Sequence, residues 1–280
     1  MLLLCSETLD PCFNLATEQW LQEQAGWPPV FFVYRNAPSI IVGKYQNVYA
    51  EADVPAAQRD GVPVVRRSSG GGTVYHDEGN FNLCFAEAVP AGEELSHDRY
   101  VLPVAQALRA LGIPAEKSRS CDLTVEGRKC SGSAQCVRGG RTLHHCTLLF
   151  DTDLAALRRY LRADPALRGR AVASVPSEVA DLRPYHPVGR EQFLRELIAA
   201  LFPQGVTALD LTAEQTAQIE ALAQSRYRTW EWNYGASPAF TATARDGAIL
   251  RVTHGTVSES DRPQWIGLRY DEILRKEETV

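Results

Sequence analysis

No apolar run in this 280-residue chain reaches the ~18 residues needed to span a bilayer, so a membrane-crossing helix is not expected. The opening Met1-Leu2-Leu3-Leu4-Cys5-Ser6-Glu7 has no basic segment and soon turns polar, which argues against a signal peptide. Positive charge is not in excess either. The net charge is −5, so no global basic field points to nucleic acid. There is no Cys-x2-Cys pair and no His-rich motif of the kind that holds zinc. The seven cysteines are odd in number and follow no framework spacing, as in a reduced, cytoplasmic protein. Internal repeats, low-complexity tracts and long charge runs are absent.

What remains is ordinary globular composition, 45% hydrophobic and 22% charged, in a length that suits one large domain or two smaller ones. The most informative stretch is 66–82, Arg-Arg-Ser-Ser-Gly-Gly-Gly-Thr-Val-Tyr-His-Asp-Glu-Gly-Asn-Phe-Asn. Consecutive glycines let the backbone approach a ligand with no Cβ in the way. Their N–H groups can form a concave nest for an anion. The two arginines add planar, permanent charge suited to phosphate or carboxylate. A Gly-rich turn beside solvated arginines is the competing reading.

Asn14 reads as the cap of a helix over 15–25. The runs 30–34 and 39–42 read as neighbouring strands, and Lys44 and Gln46 in the loop after them are minor site candidates. A strand at 62–66 feeds the glycines, and 73–76 is extended. Over 80–85 the chain alternates. Phe81, Leu83 and Phe85 share a core face; Asn80, Asn82 and Cys84 share the other. A helix over 98–111 stops at Gly112. Glu126-Gly127 reads as a two-residue hairpin turn. That register pairs Val125 with Arg128, Thr124 with Lys129 and Asp122 with Ser131. It puts Asp122, Thr124, Lys129 and Ser131 on one face and Cys121, Leu123 and Cys130 on the other.

Residues 143–150 form a further strand with His144 and His145 on opposite faces. Helical spacing recurs at 153–162, 190–202 and 212–226, the last opening on a Thr212/Gln215 capping box. The aromatic stretch 227–235 suits a core or a domain junction. A hairpin about Asp246-Gly247 and a final helix, 269–276, complete the chain.

Five blocks, in order, resemble one family. Arg66-Arg67-Ser68-Ser69-Gly70-Gly71-Gly72-Thr73-Val74-Tyr75-His76-Asp77-Glu78-Gly79-Asn80 resembles the signature of lipoate–protein ligases. Gly127-Arg128-Lys129-Cys130-Ser131-Gly132-Ser133-Ala134 is similar to that family's lysine motif, and His144-His145-Cys146-Thr147-Leu148-Leu149 to its His-His-Gly-Thr-Leu-Leu strand. Asp10-Pro11-Cys12-Phe13-Asn14-Leu15-Ala16 and Trp230-Glu231-Trp232-Asn233-Tyr234-Gly235 match its opening and the end of its catalytic domain. The resemblance covers roughly residues 8–240.

The resemblance implies an α+β fold, a central mixed β-sheet flanked by helices, shared with biotin–protein ligases. It implies a catalytic domain over 1–238 and a reduced accessory segment over 239–280. It implies that ATP, with Mg²⁺ on its triphosphate, and lipoate or octanoate form an acyl-adenylate. The acyl group then passes to a lysine of a lipoyl carrier domain, on 2-oxoacid dehydrogenase acyltransferase subunits, the glycine-cleavage H protein or similar proteins. Lys129 takes the catalytic role. Arg67, Gly71, Gly72, Thr73, Val74, Tyr75 and Lys129 match nucleotide and acyl-adenylate contacts; His76, Asn80, Asp122 and Ala134 match pocket-lining positions. A cytoplasmic monomer without nucleic-acid or membrane partners is expected.

The chain departs from the family pattern in three places. Cys121 stands where an Asn usually precedes the Asp, Cys146 stands for the Gly of His-His-Gly, and the tail after Phe240 is short. An octanoyl- or lipoyltransferase using Cys121 as nucleophile is the alternative enzyme. A non-catalytic acyl or nucleotide binder is the alternative from another class. Cys121, Cys130, Cys136 and Cys146 read more simply as small packing residues.

Overall fold

The structure is a computed structural model that describes residues 1–89, 96–118 and 121–278. Its chain divides into two compact units. The first comprises Met1–Ala37, His76–Leu154 and Pro176–Leu222; the second comprises Pro38–Tyr75, Ala155–Val175 and Ala223–Val280. No helix among the described residues is long and apolar enough to cross a membrane.

The first unit is built on a six-stranded mixed sheet. Its strands are β1 (Leu2–Cys5), β2 (Val30–Tyr34), β6 (Asn80–Ala88), β10 (Ser133–Arg138), β11 (Arg141–Leu149) and β12 (Thr207–Ala208), in the order β10-β11-β6-β2-β1-β12. The pairs of β1 with β2 and β12 are parallel; the other pairs are antiparallel. Phe81, Leu83 and Phe85 lie in one core cluster with Phe31 and Val33, as their alternation predicts. The helices of this unit are α1 (Pro11–Glu23), α4 (Asp98–Ala110), α6 (Arg190–Leu201) and α7 (Ala213–Leu222). Phe193 of α6 stacks on Phe150 with ring centroids 4.0 Å apart. The capping box at α7 forms in both directions, Thr212 N to Gln215 Oε1 at 2.9 Å and Gln215 N to Thr212 Oγ1 at 3.2 Å.

α1 starts earlier than the sequence predicts. Asp10 is its cap, accepting from Cys12 N, and Pro11 occupies the first turn. Asn14 is wholly buried instead. It donates to Thr8 O (3.1 Å), Arg35 O (3.0 Å) and Asn36 Oδ1 (2.9 Å). A residue type that favours caps is here a bracket between the helix and the segment after β2.

A second, three-stranded sheet of this unit contains β7 (Ala115–Lys117), β8 (Leu123–Val125) and β9 (Arg128–Ser131). Glu126 (φ 51°) and Gly127 (φ 78°) make the predicted tight turn, with positive φ at both positions. Beyond it, the register corrects the expectation. Thr124 faces Lys129, but Leu123, not Asp122, faces Ser131, because a bulge interrupts the ladder. Cys130 is the extra residue and is wholly buried with Leu123.

The second unit holds β3 (Ser39–Val42), β4 (Val64–Arg66) and β5 (Val74–His76), in the order β4-β3-β5; the last residue of β5 falls in the first unit. β2 and β3 are therefore not neighbours. Every residue of both runs is buried, so neither has an alternation that could indicate its partner. The unit also contains the helices α2 (Val48–Glu51), α3 (Val54–Arg59), α5 (Leu154–Tyr160) and α8 (Tyr270–Glu278), with Leu154 at the boundary. The hairpin predicted about Asp246-Gly247 is β13 (Phe240–Thr243) with β14 (Ile249–Thr253). A third strand, β15 (Thr256–Ser260), is added to it; its polar sequence, with only Val257 buried deeply, hid it. Phe240, Leu250, Val252, Tyr270 and Ile273 share one core cluster with Ile40, Val48, Tyr49 and Val64.

Gly79 is the tightest backbone crossing of the first unit. Its carbonyl accepts from Phe150 N (3.1 Å) and Asp151 N (3.0 Å), and a Cβ there would stand 1.8 Å from Asp151 O. Backbone cannot yield as a flexible side chain can. Gly79→Ala is therefore expected to destabilise by about 1–3 kcal/mol or more, seen as a lower thermal unfolding midpoint. An unchanged midpoint would refute the crossing.

Candidate functional site

In the second unit the glycine loop follows β4 directly. Arg66, the last residue of β4, is wholly buried. Its Nη1 donates to the carbonyls of Gly43 (2.9 Å), Lys44 (3.3 Å) and Gln46 (2.7 Å). Nε reaches Trp232 O (3.0 Å), and Nη2 reaches Asn233 O and Ser237 Oγ (both 3.1 Å). Burial lowers its pKa to about 10, which leaves it charged at neutral pH. Arg66 is thus no ligand-facing arginine. It joins the 43–46 loop to the aromatic stretch, which serves as its receptor.

Arg67 is nearly buried and points at the loop itself. Its Nη2 donates to Gly70 O and Gly72 O (2.7 Å), and Nη1 donates to Ile41 O (3.2 Å). In a trans peptide the C=O and the next N–H point opposite ways. Arg67 holds the Gly70 and Gly72 carbonyls, so the N–H groups of Gly71 and Thr73 face away from it. Gly71 has φ +87° and is exposed, so its N–H is open to an anion. The Thr73 N–H is taken by Ser174 Oγ (2.9 Å), and Thr73 Oγ1 donates to Gln46 Oε1 (2.8 Å). Gly72 faces Ser174 too; a Cβ there would come within 3.0 Å of its hydroxyl. Val74 is half-buried, and Tyr75 stacks on Tyr160 with centroids 5.8 Å apart.

In the first unit, His76 is buried and its Nδ1 lies 2.9 Å from Asn36 Nδ2. Asn80 donates to Asn82 Oδ1 (3.1 Å), side by side as predicted. Lys129 Nζ pairs with Asp122 Oδ2 at 3.0 Å, both side chains half-buried. A Cβ on Gly132 would stand 3.0 Å from both Cε and Nζ of Lys129, so the missing side chain makes room for the ammonium group. The lysine's backbone is also held, its N donating to Glu178 O (2.8 Å) and its O accepting from Ala180 N (3.0 Å). Ala134 lies opposite His145 across β10 and β11.

His145 pairs with Glu18 of α1, Nδ1 to Oε2 at 2.8 Å, and Glu18 also accepts from Tyr34 OH (2.9 Å). The sequence reading missed Glu18, Gly43 and Ser174. Gly43 had a signal, a glycine just after a buried strand; a Cβ there would fall 2.1 Å from Gly71 O. Glu18 and Ser174 had none, being polar residues whose partners are remote in sequence. Two clefts, of about 720 and 510 Å³, open beside β1, and neither is lined by a predicted site residue. Cys130 and Cys146 are buried and their thiols are pushed up to about 12. They are packing residues. Cys121 is half-buried with φ 64°.

The sequence profile of the lipoyl protein ligase A/B catalytic domain matches residues 10–202. Lipoate–protein ligase 1 of Staphylococcus aureus is 35% identical over 236 residues, covering 82% of this chain and 72% of that protein. A solved lipoate-protein ligase A bound with ATP matches with TM-score 0.73 and 25% identity, over 84% of this chain and 98% of that one. A bipartite lipoate protein ligase from Thermoplasma acidophilum, described with its E2 lipoyl domain, matches with TM-score 0.72 and 25% identity, over 85% and 97%. The chain belongs to the lipoyl protein ligase A/B catalytic-domain family.

The two adjacent histidines have separate fates. His144 is wholly buried and stacks on Tyr100 at 4.5 Å, and burial lowers its pKa to about 3. It stays neutral in the fold, whereas the unfolded chain takes up its proton near the ordinary value of about 6.5. Stability is therefore complete above that value and is lost as pH falls from about 6.5 towards 3, by about 2 kcal/mol at pH 5. Denaturant titrations at pH 7 and pH 5 should show a smaller acid loss in His144→Phe than in the parent. Equal losses would remove His144 as the cause.

Proposed function

We propose that this protein activates lipoate with ATP and passes the lipoyl group to a lysine of a lipoyl carrier domain. Its class, lipoate–protein ligase, is that of its curated relatives. The lipoate carboxylate attacks the α-phosphorus of ATP, forming lipoyl-adenylate and releasing pyrophosphate. The carrier's lysine amine then attacks the acyl carbonyl, forming the amide and releasing AMP. Lipoyl domains of 2-oxoacid dehydrogenases or the glycine-cleavage H protein are the proposed acceptors, in the cytoplasm.

The observation that carries the reading is Lys129, held 3.0 Å from Asp122 in the space left by Gly132. A fixed ammonium offsets the repulsion between carboxylate and phosphate and the charge that develops as they react. Holding the two in contact supplies much of the rest. On this reading Arg67, Gly71, Gly72, Thr73, Val74 and Tyr75 contact the nucleotide and acyl-adenylate with Lys129. His76, Asn80, Asp122 and Ala134 line the pocket. Asn80 Oδ1 is buried with no hydrogen-bond partner among the described residues, an acceptor left for a ligand donor. Mg²⁺ enters on the triphosphate, as part of the substrate. Among the described residues no three His, Cys, Asp or Glu side chains gather as a metal site. Residues 239–280 serve as a reduced accessory segment to a catalytic domain over 1–238.

The test is intact-mass analysis of apo lipoyl domain incubated with the protein, lipoate and MgATP. A mass increase of one lipoyl group is expected, falling by about 10²–10³-fold in rate for Lys129→Ala and unchanged for Cys121→Ser. Acylation only from an octanoylated carrier, without ATP and lost in Cys121→Ser, would establish the transferase instead.

A further inference from the structure

We propose that the segment 158–170 is the docking surface for an acidic face of the carrier domain; this rests on the ligase reading above. The segment, Arg-Arg-Tyr-Leu-Arg-Ala-Asp-Pro-Ala-Leu-Arg-Gly-Arg, carries five arginines and one aspartate in a chain whose net charge is −5. Two of the five are neutralised locally, Arg159 by Asp60 (2.6 Å) and Arg162 by Asp53 (3.5 Å). Arg158 and Arg170 are exposed and have no ion pair among the described residues. Arg168 is half-buried, and among the described residues it has no ion pair and its Nε no hydrogen-bond partner. Asp164 does not quench them; its side chain accepts from Ala166 N (2.9 Å).

The position of this charge identifies the partner. The segment runs antiparallel along residues 45–53, tied by Asp53 N to Tyr160 O (2.9 Å), Asp164 N to Ala50 O (2.8 Å) and Val172 N to Tyr45 O (3.2 Å). Four residues beyond its end is Ser174, whose hydroxyl accepts from Thr73 N of the glycine loop (2.9 Å). Arg170, four residues before Ser174, thus stands next in the chain to the contact with the loop that, on this reading, holds the adenylate, and Arg158 stands at the segment's other end. In the second half-reaction a protein-borne lysine must reach that adenylate, so the carrier must rest against the loop's rim. A rim with surplus guanidinium groups favours a carrier with carboxylates around its acceptor lysine, through encounter rate and orientation.

The two half-reactions separate this from other roles. Lipoate-dependent ATP–pyrophosphate exchange reports activation, and lipoylation of an apo lipoyl domain reports transfer. In R158E/R170E, exchange should stay within about twofold of the parent, while KM for the carrier rises about tenfold and loses its salt dependence. R158Q/R170Q should fall between, which guards against a folding defect in the reversal. An unchanged carrier KM would overturn the docking surface. A raised KM for ATP in the exchange would assign the arginines to the triphosphate and overturn it equally. A parent chain without lipoate-dependent exchange would overturn the ligase reading, and the surface with it.

Discussion

A buried guanidinium, with no carboxylate to meet it among the described residues, is the constraint on which the second unit depends. Arg66 satisfies its donors on three carbonyls of the 43–46 loop, on Trp232 and Asn233 carbonyls and on the Ser237 hydroxyl. Burying an unpaired cation is costly unless every donor finds an acceptor. The three segments must therefore converge at once or not at all. Gly43 is drawn so close to the glycine loop that a side chain on it would collide with Gly71 O. The glycine loop is held from within by Arg67, and the 43–46 loop beside it by Arg66.

The division of labour between Arg66 and Arg67 explains why the sequence was legible only in part. Adjacent residues of a strand point to opposite sides. Two arginines before three glycines promise charge for an anion; one of them is spent in the interior. What was legible had a local cause. The alternation at 81–85, the Glu126-Gly127 turn, the Thr212/Gln215 box and the Asp246-Gly247 hairpin each rest on residues within a few positions of one another. What escaped depends on distant partners. Glu18 acquires its meaning from His145 and Tyr34, and Ser174 from Thr73. The arginines of 158–170 are spread by spacing, and only their missing partners set them apart. The neighbour relation expected of β2 and β3 failed for the same reason, since uniformly buried strands do not say what lies beside them.

The site residues follow the same split. Lys129 and Asp122 meet, although the ladder predicted to align them is broken between them. The long lysine side chain bridges the altered register, so the ion pair survives. Ser131 does not keep its predicted partner, because a main-chain pairing has no such latitude.

That bulge also bears on how the chain can vary in length. Strands carry a parity, and one added residue reverses it for everything downstream. Cys130 is that residue. Removing it would restore an unbroken hairpin and set Ser131 and Gly132 to the opposite side relative to β8. Insertions of many residues in surface loops are cheap by comparison. Between Leu123 and Ser133, then, related chains should keep the same count of residues, with Lys129 and Gly132 in place.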